Sequence, residues 1–312
     1  MKQRSLFPDG FEVQEQAFAA LRELDVESAL VLVRRARRID PRLVDLDGFE
    51  EALVWLQAQL VGDVTGSVLA GVLLAAARDG LAGRLGLVAA NFVDPTIARF
   101  LMSQLRPGQF FLDDDNRVPV ALVDLILGNA SAARTSLIEA VGAGHGDRGD
   151  LWGYLGDACY SDQRPDEANA CYVRSLLLDP FAFDAWRLRN QRVGECLREL
   201  EKCHEVGARN LLLTEGWITG VFEIPAANSW LTPRQVERLL AETTTSLRAA
   251  EAGAGFRRFN LLLYLDRSAA KGQIDMARRE EMAELSPDVF VRFMAACRDR
   301  EARGAGGKAA PR

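Results

Sequence analysis

Histidine is almost missing from this chain: there are two in 312 residues, His145 and His204. Cysteine is sparse at five, too few for a disulfide scaffold. Aromatic residues make up only 8%, while Ala, Leu and Arg recur throughout, a balance that suits helices better than strands. No apolar run reaches the ~18–20 residues needed to cross a bilayer. The longest, Val64 to Ala77, is bounded by Asp63 and Arg78, holds two glycines and reads as a buried core helix. An excess of basic charge is missing too. Lys and Arg total 38 against 44 Asp and Glu, a net charge of −6 with a pI near 5.2. A surface built to coat nucleic acid wants the opposite sign. The opening MKQRSLFPDGFEVQEQ has no apolar stretch behind its early basic residues. No secretory leader is visible in it, and the expected compartment is the cytoplasm.

The familiar chemical signatures are also lacking. There is no G-x-x-x-x-G-K-[ST], no G-x-G-x-x-G after a strand, no G-x-S-x-G and no H-E-x-x-H. Asp113-Asp114-Asp115-Asn116 resembles a fragment of a calcium loop but has neither the glycine at the sixth position nor the glutamate at the twelfth. It reads better as acidic residues opening a helix. Cys196, Cys203 and His204 lie within nine residues, yet C-x6-C-H is no zinc pattern and no second pair follows nearby. His145 sits in a Gly-rich loop and reads as solvated. The expectation is therefore a protein without a catalytic centre, metal or cofactor.

What is present is a repeat. Trp152, Leu155 and Gly156 are followed by Ala168, Tyr172 and Pro180 in LWGYLGDACYSDQRPDEANACYVRSLLLDP. Leu151, Leu155 and Ala158 recur at helical spacing. Asp162 to Pro165 is a turn, with Pro165 placed to open a second helix. Tyr172, Leu176 and Leu177 supply that helix with bulk, and Pro180 closes the unit. Ala29, Val33, Ala36 and Pro41 reproduce the second half near the N-terminus, after a first helix from Phe11 to Leu24 with Asp25 in the turn. Ala133, Leu137 and Ala140 repeat it again after Gly128-Asn129, over 118–141. Ala29, Ala133 and Ala168 fall where two paired helices need a small residue.

This pattern resembles the tetratricopeptide repeat, W-x2-L-G-x2-Y, then A-x3-F, then P. Cys159 stands where the first Tyr belongs, with Tyr160 directly after it, and Trp186 falls one 34-residue period after Trp152. The resemblance covers 149–182 well and 10–43 and 114–147 in part. It implies an all-α fold of stacked antiparallel hairpins in a right-handed superhelix, flanked by degenerate helices. The expected segments are 1–112, helical with one hairpin at 10–43; 113–206, the best-matched hairpins; 207–303, further helices; and a disordered tail from 304 to 312. Helices are expected at 47–60, 65–79, 85–92, 184–206, 232–252, 256–270, 274–285 and 287–301, and one opens at Asp94-Pro95. The stretch 207–231 resists assignment, with either a helix or a short strand at 220–224.

In that family the first helices of the hairpins line a concave groove. Carried over by spacing, the groove here is Asp150, Gly153, Asp157 and Tyr160, then Asp184, Arg187 and Gln191. Gly153 and Asp157 stand where one subtype places the Lys and Asn that clamp a carboxylate, so that chemistry is not supported. An acidic groove prefers a basic or neutral segment. The same face of the preceding unit, Val118, Leu122 and Leu125, is too apolar to be wetted and requires a cover. The basic run Arg34, Arg35, Arg37 and Arg38 reads as a solvated helix face or as a dock for an acidic partner. The implied function is a non-catalytic scaffold or adaptor that binds a protein or peptide, with no nucleic acid or membrane partner. Two rivals stay open: an enzyme or small-molecule sensor with a pocket at Trp217, Glu223 and Trp230, and an assembly chaperone of a larger complex.

Overall fold

Asp9 and Asp25 each accept a hydrogen bond from the backbone N–H three residues on, at 2.8 Å from Glu12 and 3.0 Å from Ser28. These N-caps satisfy donors that a helix leaves orphaned. In the computed structural model they open helices α1 (Gly10–Arg22) and α2 (Val26–Ile39). The structure describes residues 9–43, 46–60, 95–99, 101–102, 109–112, 118–181, 188–203, 207–270, 273 and 275–306. The expected helices at 65–79 and 85–92 and the acidic run Asp113–Asn116 lie outside them. The chain divides into two compact units, 1–136 and 137–312.

In the first unit, α2 also packs against α3 (Leu46–Gln59), and Phe18 meets Phe49 edge-on at 5.1 Å. The helix α4 (Val120–Ile126) buries Val120 through Leu125, so the apolar face at Val118, Leu122 and Leu125 is covered, as its composition demands. An isolated bridge between Phe111 and Pro119 is the one β feature among the described residues. The unit boundary falls inside α5 (Ala130–Ala140).

The second unit begins within α5, and the chain kinks over Val141–His145, where Gly144 has φ 109°. The hairpin α6 (Gly149–Ser161) and α7 (Pro165–Leu178) follows, then α8 (Gln191–Cys203) and α9 (Ala208–Ile218). The unit ends with α10 (Pro233–Arg248), α11 (Ala254–Ser268), α12 (Met276–Leu285) and α13 (Pro287–Gly306). Thr232 and Gln235 close a capping box on α10. The centre of the unit is α9, which packs against α7, α8, α11 and α13. It is buried all round, from Leu211 to Trp217, and so shows no polar face. Its Thr214 and Glu215 side chains are matched, while Asn210 Oδ1 is buried without a hydrogen-bond partner. Thr214 Oγ1 donates to Asn260 Oδ1 at 2.5 Å, and Asn260 Nδ2 donates to the Asn210 carbonyl at 2.6 Å. Arg292 grips Glu215 with both of its terminal nitrogens.

Three hairpin turns share one geometry. Leu24, Gly128 and Gln163 all have positive φ, at 58°, 81° and 60°. In each turn the next N–H bonds back five residues, Asp25 to Ala20, Asn129 to Asp124 and Arg164 to Cys159, a left-handed helix stop that meets otherwise orphaned carbonyls. Ala29, Ala133 and Ala168 are all fully buried, as their spacing predicts. Gly156 is glycine for a packing reason. A Cβ there would sit 2.5 Å from Tyr172 Cε1.

Three expectations need correction. The long helix over 184–206 is not continuous: 188–190 are not helical, and α8 starts at Gln191. Asn190 breaks it, because its Oδ1 accepts from the N–H groups of Arg192 and Val193 at 3.1 and 3.4 Å, the local competition that favours Asn at helix starts. The alternative strand at 220–224 does not form. Gly220 turns at φ 78° and the Val221 and Phe222 N–H groups both bond to the Gly216 carbonyl. Finally, α13 runs to Gly306, into the segment expected to be disordered. The described residues are all-helical apart from the one bridge, and none of their helices is long and apolar enough to cross a membrane.

Candidate binding cleft

Tyr160 is the penultimate residue of α6, and Pro165 starts α7 four residues after the helix ends. The chain therefore presents Tyr160, Pro165, Asp166, Glu167, Asn169 and Ala170 together at the turn end of this hairpin. Opposite them lies the segment that leaves α9. It is pinned to α7 by two reciprocal bonds: Asn169 Nδ2 donates to the Glu223 carbonyl at 2.7 Å, and the Glu223 N–H donates to Asn169 Oδ1 at 3.0 Å. Further along, Tyr264 of α11 fixes the same segment, accepting from the Leu231 N–H at 3.1 Å and donating to Asn228 Oδ1 at 2.8 Å. Between the two walls is a cleft of about 640 Å³, lined among others by Tyr160, Asp166, Glu167, Arg192, Glu223 and Trp230.

Its charge is mainly negative. Three lining carboxylates, Asp166, Glu167 and Glu223, face the cation Arg192. Two of these carboxylates have internal partners: Arg164 reaches Glu167 at 2.7 Å and Arg300 reaches Glu223 at 2.7 Å. Arg192 spends a donor on the Gly220 carbonyl at 3.1 Å. Asp166 is exposed in the first turn of α7.

A second cleft of about 460 Å³ shares Arg192 and Val221 with the first and is lined also by Cys196, Cys203, Glu215 and Arg292. Burial, and then the Glu215 charge, push the Cys196 thiol up to about 11 against a weaker opposing hydrogen bond from Thr219. It is therefore a protonated thiol near neutrality, the wrong state for a nucleophile or a metal ligand. His204 lies outside the described residues, and no cluster of three or more His, Cys, Asp or Glu able to hold a metal occurs among those described.

Of the residues expected in a concave groove, the described ones have different surroundings. Asp157 is 4% exposed. Its Oδ1 accepts from the Tyr172 hydroxyl at 2.7 Å and from the Arg189 N–H at 2.9 Å, so it ties the hairpin to the segment before α8. Burial, and then the Asp157 charge, raise the Tyr172 hydroxyl far above the ordinary tyrosine range. Gly153 is buried. Asp150 is held by Arg148. Gln191 is exposed at the start of α8, and the non-helical 188–190 separate it from Asp184 and Arg187, which lie outside the described residues, as does Trp186. Of the described members of that set, Tyr160 alone lines the cleft. In the basic run, Arg34 and Arg37 pair with Glu50 of α3 at 2.8 and 3.5 Å, while Arg35 and Arg38 are exposed. Trp217 is core, with Arg300 stacked 4.3 Å from its ring centre and Phe293 at 5.3 Å. Glu223 and Trp230 do line the cleft.

No protein-family model matches the chain, and neither a curated protein nor a solved structure matches it. The class rests on the chain itself: an all-helical protein whose second unit carries an acidic, aromatic-walled cleft at the end of a helix hairpin.

Proposed function

We propose that the protein is a non-catalytic interaction module, built from hairpins like those of tetratricopeptide repeats, that holds an extended segment of a protein partner. The observation that carries this reading is the cleft between Tyr160 and Trp230, with a wall held by the Asn169 side-chain amide pairing with the Glu223 backbone. Aromatic side chains beside fixed polar groups are what recognition surfaces use, because they bring contact area at little entropy cost. The site proposed is the turn end of the hairpin, not the concave face, since Asp157 is already committed inside the protein.

A second reading has one observation in its favour. The two adjoining clefts, of about 640 and 460 Å³, fall in the size range of small-molecule pockets. One experiment separates the two. A photo-crosslinking phenylalanine analogue replaces Tyr160, Trp230 or, as a control, the exposed Arg248, in the full chain exposed to native lysate. The module reading expects light-dependent protein adducts from positions 160 and 230 and not from 248. Adducts from none of them, with a thermal shift on adding a metabolite extract freed of protein, would instead support the small-molecule reading.

A further inference from the structure

Resting on the module reading, we infer that the cleft takes an arginine-bearing, extended segment of the partner. Three features of the lining point there. The first is charge: among the described lining residues Asp166, Glu167 and Glu223 stand against the one cation Arg192, with Arg164 and Arg300 pairing Glu167 and Glu223 from outside the lining. A helix N-terminus such as that of α7 ordinarily attracts anions. Here Asp166 and Glu167 already occupy that first turn, so an incoming anion meets like charge and a cation meets its complement. The second is the pair of aromatic residues, Tyr160 and Trp230, one on each wall. A guanidinium stacks on such faces while its N–H fork reaches carboxylates, which an ammonium does less well. The protein uses arginine–tryptophan stacking internally too, with Arg174 3.7 Å from the Trp152 ring centre and Arg300 and Arg267 at 4.3 and 5.4 Å from that of Trp217.

The third feature is the distribution of existing ion pairs. Glu167 is partly neutralised by Arg164, which is itself exposed and also approaches Asp162 at 3.8 Å. A ligand arginine competes with Arg164 for Glu167 and meets no internal rival at Asp166 among the described ion pairs. Arg164 therefore sets how strongly the cleft binds. Removing it should tighten binding, an effect that damage to the fold cannot imitate.

The test is an unbiased selection. Random linear 12-residue peptides are displayed and selected on the immobilised full chain, and the best is labelled and titrated by fluorescence anisotropy. The selected sequences are expected to share an arginine. Changing that arginine to glutamine, or making Asp166→Asn with Glu167→Gln in the protein, should weaken binding about tenfold, the range of one charge-assisted contact. Arg164→Ala should tighten it a few-fold. Peptides that lose binding with Trp230→Ala but carry no basic residue, or an Arg164→Ala variant that binds no better, would overturn the arginine inference and leave the module reading standing. A selection that enriches nothing would remove both.

Discussion

The hairpins α1/α2 and α6/α7 are the same object in two settings. Gly149 lies 139 positions after Gly10, and the same interval takes Leu24 to Gln163, Ala29 to Ala168 and Asp40-Pro41 to Asp179-Pro180. The geometry follows the sequence. A Cβ on Gly10 would meet the Asp40 Cβ at 2.9 Å, and one on Gly149 would meet that of Asp179 at 3.0 Å. Both aspartates end their helices in extended conformation, with N–H bonds of 2.9 Å to Ala36 and Ser175. The outer faces differ completely. Arg34, Arg35, Arg37 and Arg38 of α2 correspond to Val173, Arg174, Leu176 and Leu177 of α7. The first set is exposed; in the second, all but Arg174 are buried. Phe18 correspondingly stacks on the next helix through Phe49, whereas its counterpart Asp157 holds the next segment by a hydrogen bond to Arg189. One hairpin design thus serves as a wetted element in one unit and as part of the interior in the other. What decides between them is the polarity of a single face.

Exchanging residues across that interval breaks the comparison most sharply. Val173→Arg places an unpaired charge in the interior and should cost more than about 4 kcal/mol in urea unfolding of the full chain, or prevent folding. The converse change, Arg34→Val, removes an exposed ion pair and should cost less than about 1 kcal/mol. Next in size is Gly156→Ala. Its counterpart in α1 is already an alanine, Ala17, because Val33 stands where α7 has the broad Tyr172. The added methyl presses on that ring and should cost about 1–3 kcal/mol, and Gly156→Ala in a Tyr172→Val background should cost less than in the wild type.

Smaller effects concern the shared turn. Gln163 is exposed and held at φ 60°, so Gln163→Gly should raise stability by about 1 kcal/mol. Leu24→Gly should gain less, since the Leu24 side chain is half-buried. The smallest effect is one of pH. Hydrogen bonds from Ser28 hold the Asp25 carboxyl below its ordinary range. Its contribution is therefore present above about pH 4 and is lost as pH falls through the depressed folded value. The counterpart Arg164 has no carboxyl to protonate. The difference in urea midpoint between wild type and Asp25→Ala should be evident at pH 6 and shrink by pH 2.5.

How much could be read in advance follows from the same contrast. The hairpins were legible because their helices carry an apolar stripe, small residues at the crossing and turn chemistry at fixed offsets. The helix start at Thr232-Pro233 is equally plain. The hub α9 was not, because LLLTEGWI is buried on every side and so has no period to detect. The break at 188–190 has no Gly or Pro to announce it, because it comes from an asparagine side chain. The groove set follows repeat spacing, and spacing cannot show that Asp157 is consumed by Tyr172 and Arg189. The cleft that replaces it joins Tyr160 to Trp230, seventy residues on, through a turn that only the fold brings near.

The central claim is that a partner segment docks at the turn end of α6 and α7. Hydrogen exchange on the full chain, with and without the selected arginine peptide, addresses it directly. Slowed exchange should be confined to 160–170 and 219–231. Slowing centred on the α2 face at Arg34 to Arg38, or none within those two segments at saturating peptide, would contradict it.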